Sequence, residues 1–360
     1  EHVGSFIRPD QLLNAARSHK TNKIDEATFE EIKNKAIADI VSFQDSIGMP
    51  SVTDGEFRRR VWSGGVSDAL VGMSIKDSGT LTFKSDEGDV LMPPSPYAEG
   101  KLRRRHNIVT DDFKFVKSLK PKGHPKVTMA SPPVMHFFLG RDSYNPEVYD
   151  SNEAYFADLT KAYQEEIVEL AAAGCTYIQL DDTALPCNCD LDARKTIIAR
   201  GEDPDELTDI YVKAINSAVS NRPSNMFAGM HMCRGNLKGL WMAEGGYEPI
   251  ADQIFNELNI DAFFLEYDNE RSGDFEPLRY LPVGKVAVLG IVSTKTPELE
   301  DKDGLKRRID EASKFVPLEQ LAISPQCGFS SGGGGGQVVT HDDTRRKLEL
   351  VLEVANDVWG

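Results

Sequence analysis

Eight short apolar runs separated by helical patterns constrain this chain more than any other feature. Six follow one another from residue 126: KVTMASP (126–132), YIQLDD (177–182), MFAGMHMC (226–233), AFFLEYD (262–268), KVAVLGIVS (285–293) and LAISPQCGF (321–329). Two earlier ones, HVGSF (2–6) and PSVTDGE (50–56), flank a helical stretch at about 26–47. The runs are continuous rather than alternating, as in parallel strands covered on both faces. The clearest helix spans 152–173, where Phe156, Leu159, Tyr163, Ile167 and Leu170 share one stripe and Gly174 is placed to end it. Eight strands alternating with helices predict an α/β fold of the closed (β/α)8, or TIM-barrel, type. A chain of 360 residues, 40% hydrophobic, can bury such a core. The expectation is one barrel domain over 1–360 with an inserted excursion at about 57–125 after the second strand.

That excursion is rich in charge, Gly and Pro, with Arg runs at 58–60 and 103–105 and MPPSP at 92–96. It is expected to carry a hairpin and part of the site's rim. Its basic runs could face an anionic substrate, but charge runs are more often a solvated surface, and that reading is preferred. The poly-Gly segment 332–336 lacks the Lys-Ser/Thr ending of a phosphate-binding loop, so no phosphate role is assigned to it.

In a parallel barrel the C-terminal strand ends converge on the mouth where chemistry is done. Here those ends carry Ser5, Asp54-Gly55-Glu56, Ser131, Asp181-Asp182, His231-Met232-Cys233, Glu266-Tyr267-Asp268 and Cys327. His231 and Cys233 are two apart on a strand, so their side chains leave the same face. With Glu266 and Cys327 they form a His, two-thiolate and carboxylate set that suits Zn²⁺ better than magnesium or calcium. Two thiolates and one carboxylate on a divalent ion leave a net charge of about −1, which disfavours hydroxide generation and favours holding a thiol as a nucleophilic thiolate. Sulfur alkylation is therefore preferred to hydrolysis. Cys175, at a helix end, reads as packing, and Cys187 and Cys189 read as structural thiols rather than alternative ligands.

These residues resemble the catalytic barrel of the cobalamin-independent methionine synthase family, in particular its short, single-barrel members. The resemblance spans nearly the whole chain and rests on HVGSFIRP (2–9), TDGEFRR (53–59), IQLDD (178–182), HMCRGN (231–236), FFLEYD (263–268), LGIVSTKTPELE (289–300) and SPQCGF (324–329). It implies that His231, Cys233, Glu266 and Cys327 bind zinc. It further implies that Ser5 and Glu56 bind the amino-acid part of homocysteine, that Asp181 binds its amino group, and that a methyl group passes to a zinc-bound thiolate. Two departures stand out. A chain of this length has no room for the N-terminal barrel that helps bind folate, so the methyl or alkyl donor is open, with corrinoids and epoxides as alternatives. Lys295 stands where the synthase has a catalytic His; it could donate a proton or bind an anionic group. A zinc lyase or hydrolase with Asp181 or Asp182 as general base, and a non-catalytic zinc or thiol-binding protein, are the competing readings.

The partners expected are small molecules, a thiol and a methyl or alkyl donor, with a homo-oligomer an open option. A net charge of −16 argues against nucleic acid. No apolar run reaches the roughly 18 residues of a spanning helix. The N-terminus lacks signal-peptide features, and five Cys, an odd number thinly spread, suit a reducing compartment. A cytoplasmic protein is expected.

Overall fold

The computed structural model describes residues 1–77, 82–84, 90–91, 94–330 and 336–360. Gly332 to Gly335 of the poly-Gly segment lie outside the described residues. Six of the expected strands form one parallel sheet in chain order: β1 (Val127–Ala130), β2 (Tyr177–Asp182), β3 (Phe227–Met232), β4 (Ala262–Glu266), β5 (Val286–Val292) and β6 (Leu321–Pro325). Nearly every residue of these strands is buried, which explains why each reads as an unbroken apolar run.

The other two expected strands are reduced, and they supply the remaining staves of the barrel. Ser51–Val52 pairs in parallel with His124–Pro125, just before β1, and the Lys126 amide extends that ladder to the Val52 carbonyl at 2.8 Å. Beyond it Gly55 and Glu56 turn to φ of 71° and 64°, which ends the extended backbone. Residues 2–6 are not a strand, contrary to the sequence reading. Gly4 sits at φ 136°, and a Cβ there would lie 2.7 Å from the Thr128 methyl, so no ladder can run through it. The segment is pinned instead by single bonds. The Glu1 amino group donates to the Ile323 carbonyl (3.0 Å), Phe329 N to Ser5 O (3.0 Å), and Phe6 N to Gly55 O (3.2 Å). It thus joins β6 to the second stave and closes the barrel.

Helices pack outside. Asn152–Ala172, between β1 and β2, starts at Ser151, whose hydroxyl accepts from Ala154 N, and buries the whole stripe read from the sequence. Gly174 follows it at φ 83°. Pro204–Ala218 precedes β3, Ala251–Glu257 precedes β4, Lys302–Ala312 precedes β6 and His341–Trp359 follows it. The β4–β5 crossover carries two 3₁₀ turns, Glu270–Ser272 and Glu276–Tyr280. No helix among the described residues is long and apolar enough to cross a membrane.

Within the excursion, Leu70–Lys76 pairs antiparallel with Ser95–Arg104. Of its basic runs, Arg60, Arg103 and Arg105 are exposed, as the solvated-surface reading expects, whereas Arg58, Arg59 and Arg104 reach internal partners. Arg58 pairs with Glu30 and Asp112, buried Arg59 with Glu56, and Arg104 with Glu166 and Glu169. Glu166 is itself fully buried and accepts from the amides of Ile108, Val109 and Thr110 at 2.7–2.9 Å, satisfying the start of the helix Thr110–Ser118.

One glycine ties the barrel wall to its mouth. Gly290 of β5 lies opposite Glu266, and a Cβ there would fall 2.6 Å from Leu265 O and 2.7 Å from Gln326 Cα. Both obstacles are backbone and cannot swing away. Gly290→Ala is expected to cost about 2–3 kcal/mol by forced separation of β4, β5 and β6; urea unfolding at equilibrium checks it, and an unchanged midpoint would refute it.

Candidate metal and thiol site

The strand ends meet in a cleft lined by Ser5, Glu56, Asp181, Asp182, His231, Cys233 and Cys327, with Trp62, Phe83, Phe138 and Met242 among its apolar walls. Seven of the nine residues singled out in the sequence therefore face one space. Glu266 and Lys295 are not among its lining residues.

His231 and Cys233 leave β3 on one face, as the strand period requires. The loop after β6 brings Cys327 to them, and Gly328 is what lets it approach. A Cβ at Gly328 would fall 1.9 Å from the Ser5 hydroxyl oxygen and 3.0 Å from the Ser5 Cβ, so a side chain there would push Ser5 from its place on the cleft wall. The Cys233 and Cys327 sulfurs are 3.8 Å apart, and a nitrogen of His231 lies within 4.8 Å of both. Neither ring nitrogen of His231 has a hydrogen-bond partner among the described residues, although the ring is buried. Such orphaned donors are rare in a folded interior unless a ligand takes them. Two sulfurs on one zinc at about 2.3 Å in tetrahedral geometry would themselves stand about 3.8 Å apart. The three donors therefore fit zinc.

Electrostatics at the group agree. The Cys327 sulfur and then burial push the Cys233 thiol well above its usual range. Burial pulls the His231 pKa down, but Cys233, Asp181 and Glu266 together carry it above the ordinary value. This crowding of latent negative charge is what a cation would relieve.

Glu266, the expected fourth ligand, has both carboxylate oxygens hydrogen-bonded. Its Oε2 accepts from the Arg234 amide (2.7 Å), and its Oε1 from Lys295 Nζ (2.8 Å) and Arg271 Nη2 (2.9 Å). Burial alone would raise its pKa, but Lys295, Arg234 and Arg271 hold it far below the usual carboxylate range. Lys295 also donates to both oxygens of Asp268, at 3.0 and 2.8 Å. It is thus an internal counter-ion rather than a group facing the cleft.

The carboxylates on the opposite wall are differently placed. Asp181 accepts from Gln179 Nε2 (2.7 Å); burial, then the charge of Glu56, pushes its pKa up. Glu56 accepts from the Thr128 hydroxyl at 2.9 Å and has Arg59 at 3.5 Å. Asp182 accepts from the Ser131 hydroxyl and from Leu185 N (2.8 Å), and burial carries its pKa up to about 6. Cys187 and Cys189 are fully or nearly fully buried; Cys187 Sγ packs against Met242 Sδ at 3.9 Å and is not part of the donor group.

Sequence reasoning missed Arg234, Arg271 and the aromatic wall. Arg234 had a readable signal, because a cation directly after a ligand pair at a strand end must find buried partners. Arg271 and Phe83 lie in stretches with no periodicity to place them.

A family model for the cobalamin-independent synthase catalytic domain matches residues 1–356. The chain is 38% identical to the Bacillus subtilis protein YxjH, itself uncharacterised, over 100% of this chain and 94% of that one. It is 27% identical to a methionine synthase of Pyrococcus abyssi, with 91% of this chain and 84% of the relative matched. A solved Listeria monocytogenes structure, described provisionally as a vitamin-B12 independent methionine synthase, is similar at a TM-score of 0.79 and 34% identity, covering 100% of this chain and 97% of that one.

Proposed function

The chain belongs to the cobalamin-independent synthase catalytic-domain family, a family of methyl-transferring enzymes, and on that premise we propose that it transfers a methyl group to a thiol such as homocysteine, with zinc as its resident metal. The observation that carries this reading is the donor group itself: two sulfurs 3.8 Å apart beside an unpartnered buried imidazole, on the wall of the cleft. His231, Cys233 and Cys327 would hold the metal. When bound there, zinc lowers the pKa of a substrate thiol while leaving its sulfur nucleophilic.

The protein's own residues do the rest. Glu56 and Asp181 face the cleft close enough that the charge of one raises the pKa of the other. An incoming ammonium group removes that repulsion, which makes an amino-acid thiol a better fit than a simple alkyl thiol. Ser5 supplies a hydroxyl on the same wall. Asp182, ionised above about pH 6, accepts the thiol proton. Trp62, Phe83 and Phe138 keep water from the nucleophile. The new S–C bond forms as the donor–methyl bond breaks, and the donor leaves with that bond's electron pair. The five free thiols suit a reducing, cytoplasmic setting.

The test is incubation of zinc-loaded protein with homocysteine and, in turn, methyl-folate, methylcobalamin and an epoxide, followed by the mass of the sulfur product. Turnover of a donor analogue without any thiol, and no S-alkyl product with any donor, would sink the reading. A second expectation follows from Asp182. Because the base must be ionised, kcat/KM should fall about tenfold per pH unit below about 6. Asp182→Asn should lower the rate at pH 8 by roughly 10²–10⁴-fold and abolish that acid limb. An acid limb that survives the substitution assigns the proton to another group.

A further inference from the structure

Glu56 and Asp181, the carboxylates proposed to meet the substrate's ammonium group, are held by two residues that face each other in the barrel wall. Thr128 and Gln179 are partners in the β1–β2 ladder. The Thr128 hydroxyl donates to Glu56 Oε1 at 2.9 Å, and Gln179 Nε2 donates to Asp181 Oδ1 at 2.7 Å. Gln179 is fully buried, and its amide is committed at both ends. Lys126 Nζ, which can only donate, reaches Oε1 at 3.0 Å, and the Val3 carbonyl, which can only accept, takes a second Nε2 hydrogen at 2.6 Å. The amide can therefore neither flip nor turn without losing a buried bond. Lys126 is itself fixed. Its side chain is fully buried, with Glu1 Oε2 3.3 Å from Nζ and the ring centres of Phe264 and Tyr177 at 4.9 and 5.2 Å. Among the described residues Asp181 accepts one side-chain hydrogen bond, at Oδ1, and it lines the cleft.

We infer that Gln179 is a positioning residue for recognition of an amino-acid thiol: locked by Lys126, it ties up one oxygen of Asp181 and leaves the other to an ammonium group in the cleft. This rests on the proposed thiol substrate. A carboxylate fixed at one oxygen has lost its rotational freedom before the ligand arrives, so less is lost on binding. Released from Gln179, Asp181 has a competing partner within the protein. Buried Arg59 already acts on it through its charge, and Arg59 Nε has no hydrogen-bond partner among the described residues. Gln179 thus keeps Asp181 for the ligand rather than for Arg59.

Calorimetric titration of zinc-loaded protein with homocysteine and with 4-mercaptobutanoate tests this, because the two ligands share thiol and carboxylate and differ by the amino group. The unaltered protein should prefer homocysteine by about tenfold or more. Gln179→Asn keeps an amide but is one methylene too short to bridge Lys126 and Asp181. It should cut the preference by roughly five- to tenfold and leave the affinity for 4-mercaptobutanoate within about twofold. Lys126→Met, which leaves Oε1 without its donor, should cut the preference by a smaller factor, about threefold. In an Asp181→Asn background, Gln179→Asn should change the preference no further, because it acts through Asp181. Equal weakening of both ligands in Gln179→Asn, or an unchanged preference, overturns the inference while leaving the thiol reading standing. If Gln179→Asn does not fold, Lys126→Met is judged by the same two outcomes. An unaltered protein that binds both ligands alike, or neither, overturns the amino-acid reading and the inference together.

Discussion

Cys327→Ser should leave a folded barrel that no longer holds zinc. Cys327 lies half-buried in the loop after β6, and its sulfur stands 3.8 Å from that of Cys233. Oxygen for sulfur there opens no large cavity, so the thermal midpoint should move by no more than a few degrees. The metal is another matter. A serine hydroxyl stays protonated at neutral pH and is a poor ligand for a borderline-soft ion. If structural zinc binding of about 10–16 kcal/mol is shared among a few ligands, one thiolate supplies several kcal/mol, or at least ~10³ in affinity. Zinc per chain after dialysis should fall from near one to near zero, and thiol alkylation should fall with it. Cys187→Ser is the matched control. Its sulfur is fully buried against Met242 and lies outside the donor group, so it should lower the midpoint and keep the zinc. The reverse outcome, metal retained in Cys327→Ser and lost in Cys187→Ser, would mean that a different set of thiols holds it.

The site was legible because barrel geometry converts distant positions into neighbours. Residues 5, 56, 181, 231 and 327 have no local relation, but strand ends of one barrel must converge, and polar residues ending apolar runs mark the mouth. Six strands were readable for a related reason: burial on both faces erases the alternation and leaves runs such as VAVLGIV. What could not be read depends on pairing or on backbone angle. Residues 2–6 look like a strand in composition, but Gly4 takes a φ no strand uses. Glu266 looks like a ligand because its type and place are right. Its ion pairs are with Lys295, 29 residues on, and Arg271, five residues on in an irregular turn. Neither spacing is a helix or strand period, so nothing local announces the contact. Within the Arg runs of the excursion, Arg104 is hidden in the same way: its buried partner, Glu166, lies 62 residues away.

Arg234→Met should be the most destabilising single change near the site, and the reason lies in how β3 and β4 are joined. Arg234 follows Cys233 directly and is completely buried, with its guanidinium 4.1 Å from the centre of the Tyr247 ring. Its Nε donates to Gly245 O (2.8 Å), Nη1 to Glu266 O and the Tyr247 hydroxyl oxygen (both 3.1 Å), and Nη2 to Ser272 O (3.3 Å). Tyr247 completes the knot by donating to Met232 O and accepting from Glu266 N, each at 2.9 Å. One side chain therefore fixes the ends of both strands that carry His231, Cys233 and Glu266. Methionine fills much of the volume but leaves three carbonyls without donors, each costing about 1–3 kcal/mol, and removes a cation that balances Glu266. Burial works against the charge on Arg234, yet Tyr247 and Glu266 more than offset it, so the charge belongs to the folded state. The sum points to a loss of roughly 4–6 kcal/mol and a midpoint lower by on the order of 10 °C. Arg234→Lys keeps the charge without the planar fork and cannot reach all these carbonyls at once, so it should recover only part of the loss. Chemical denaturation of the three proteins measures this, and a lysine variant as stable as the original would mean that charge alone, not the fork, holds the two strand ends together.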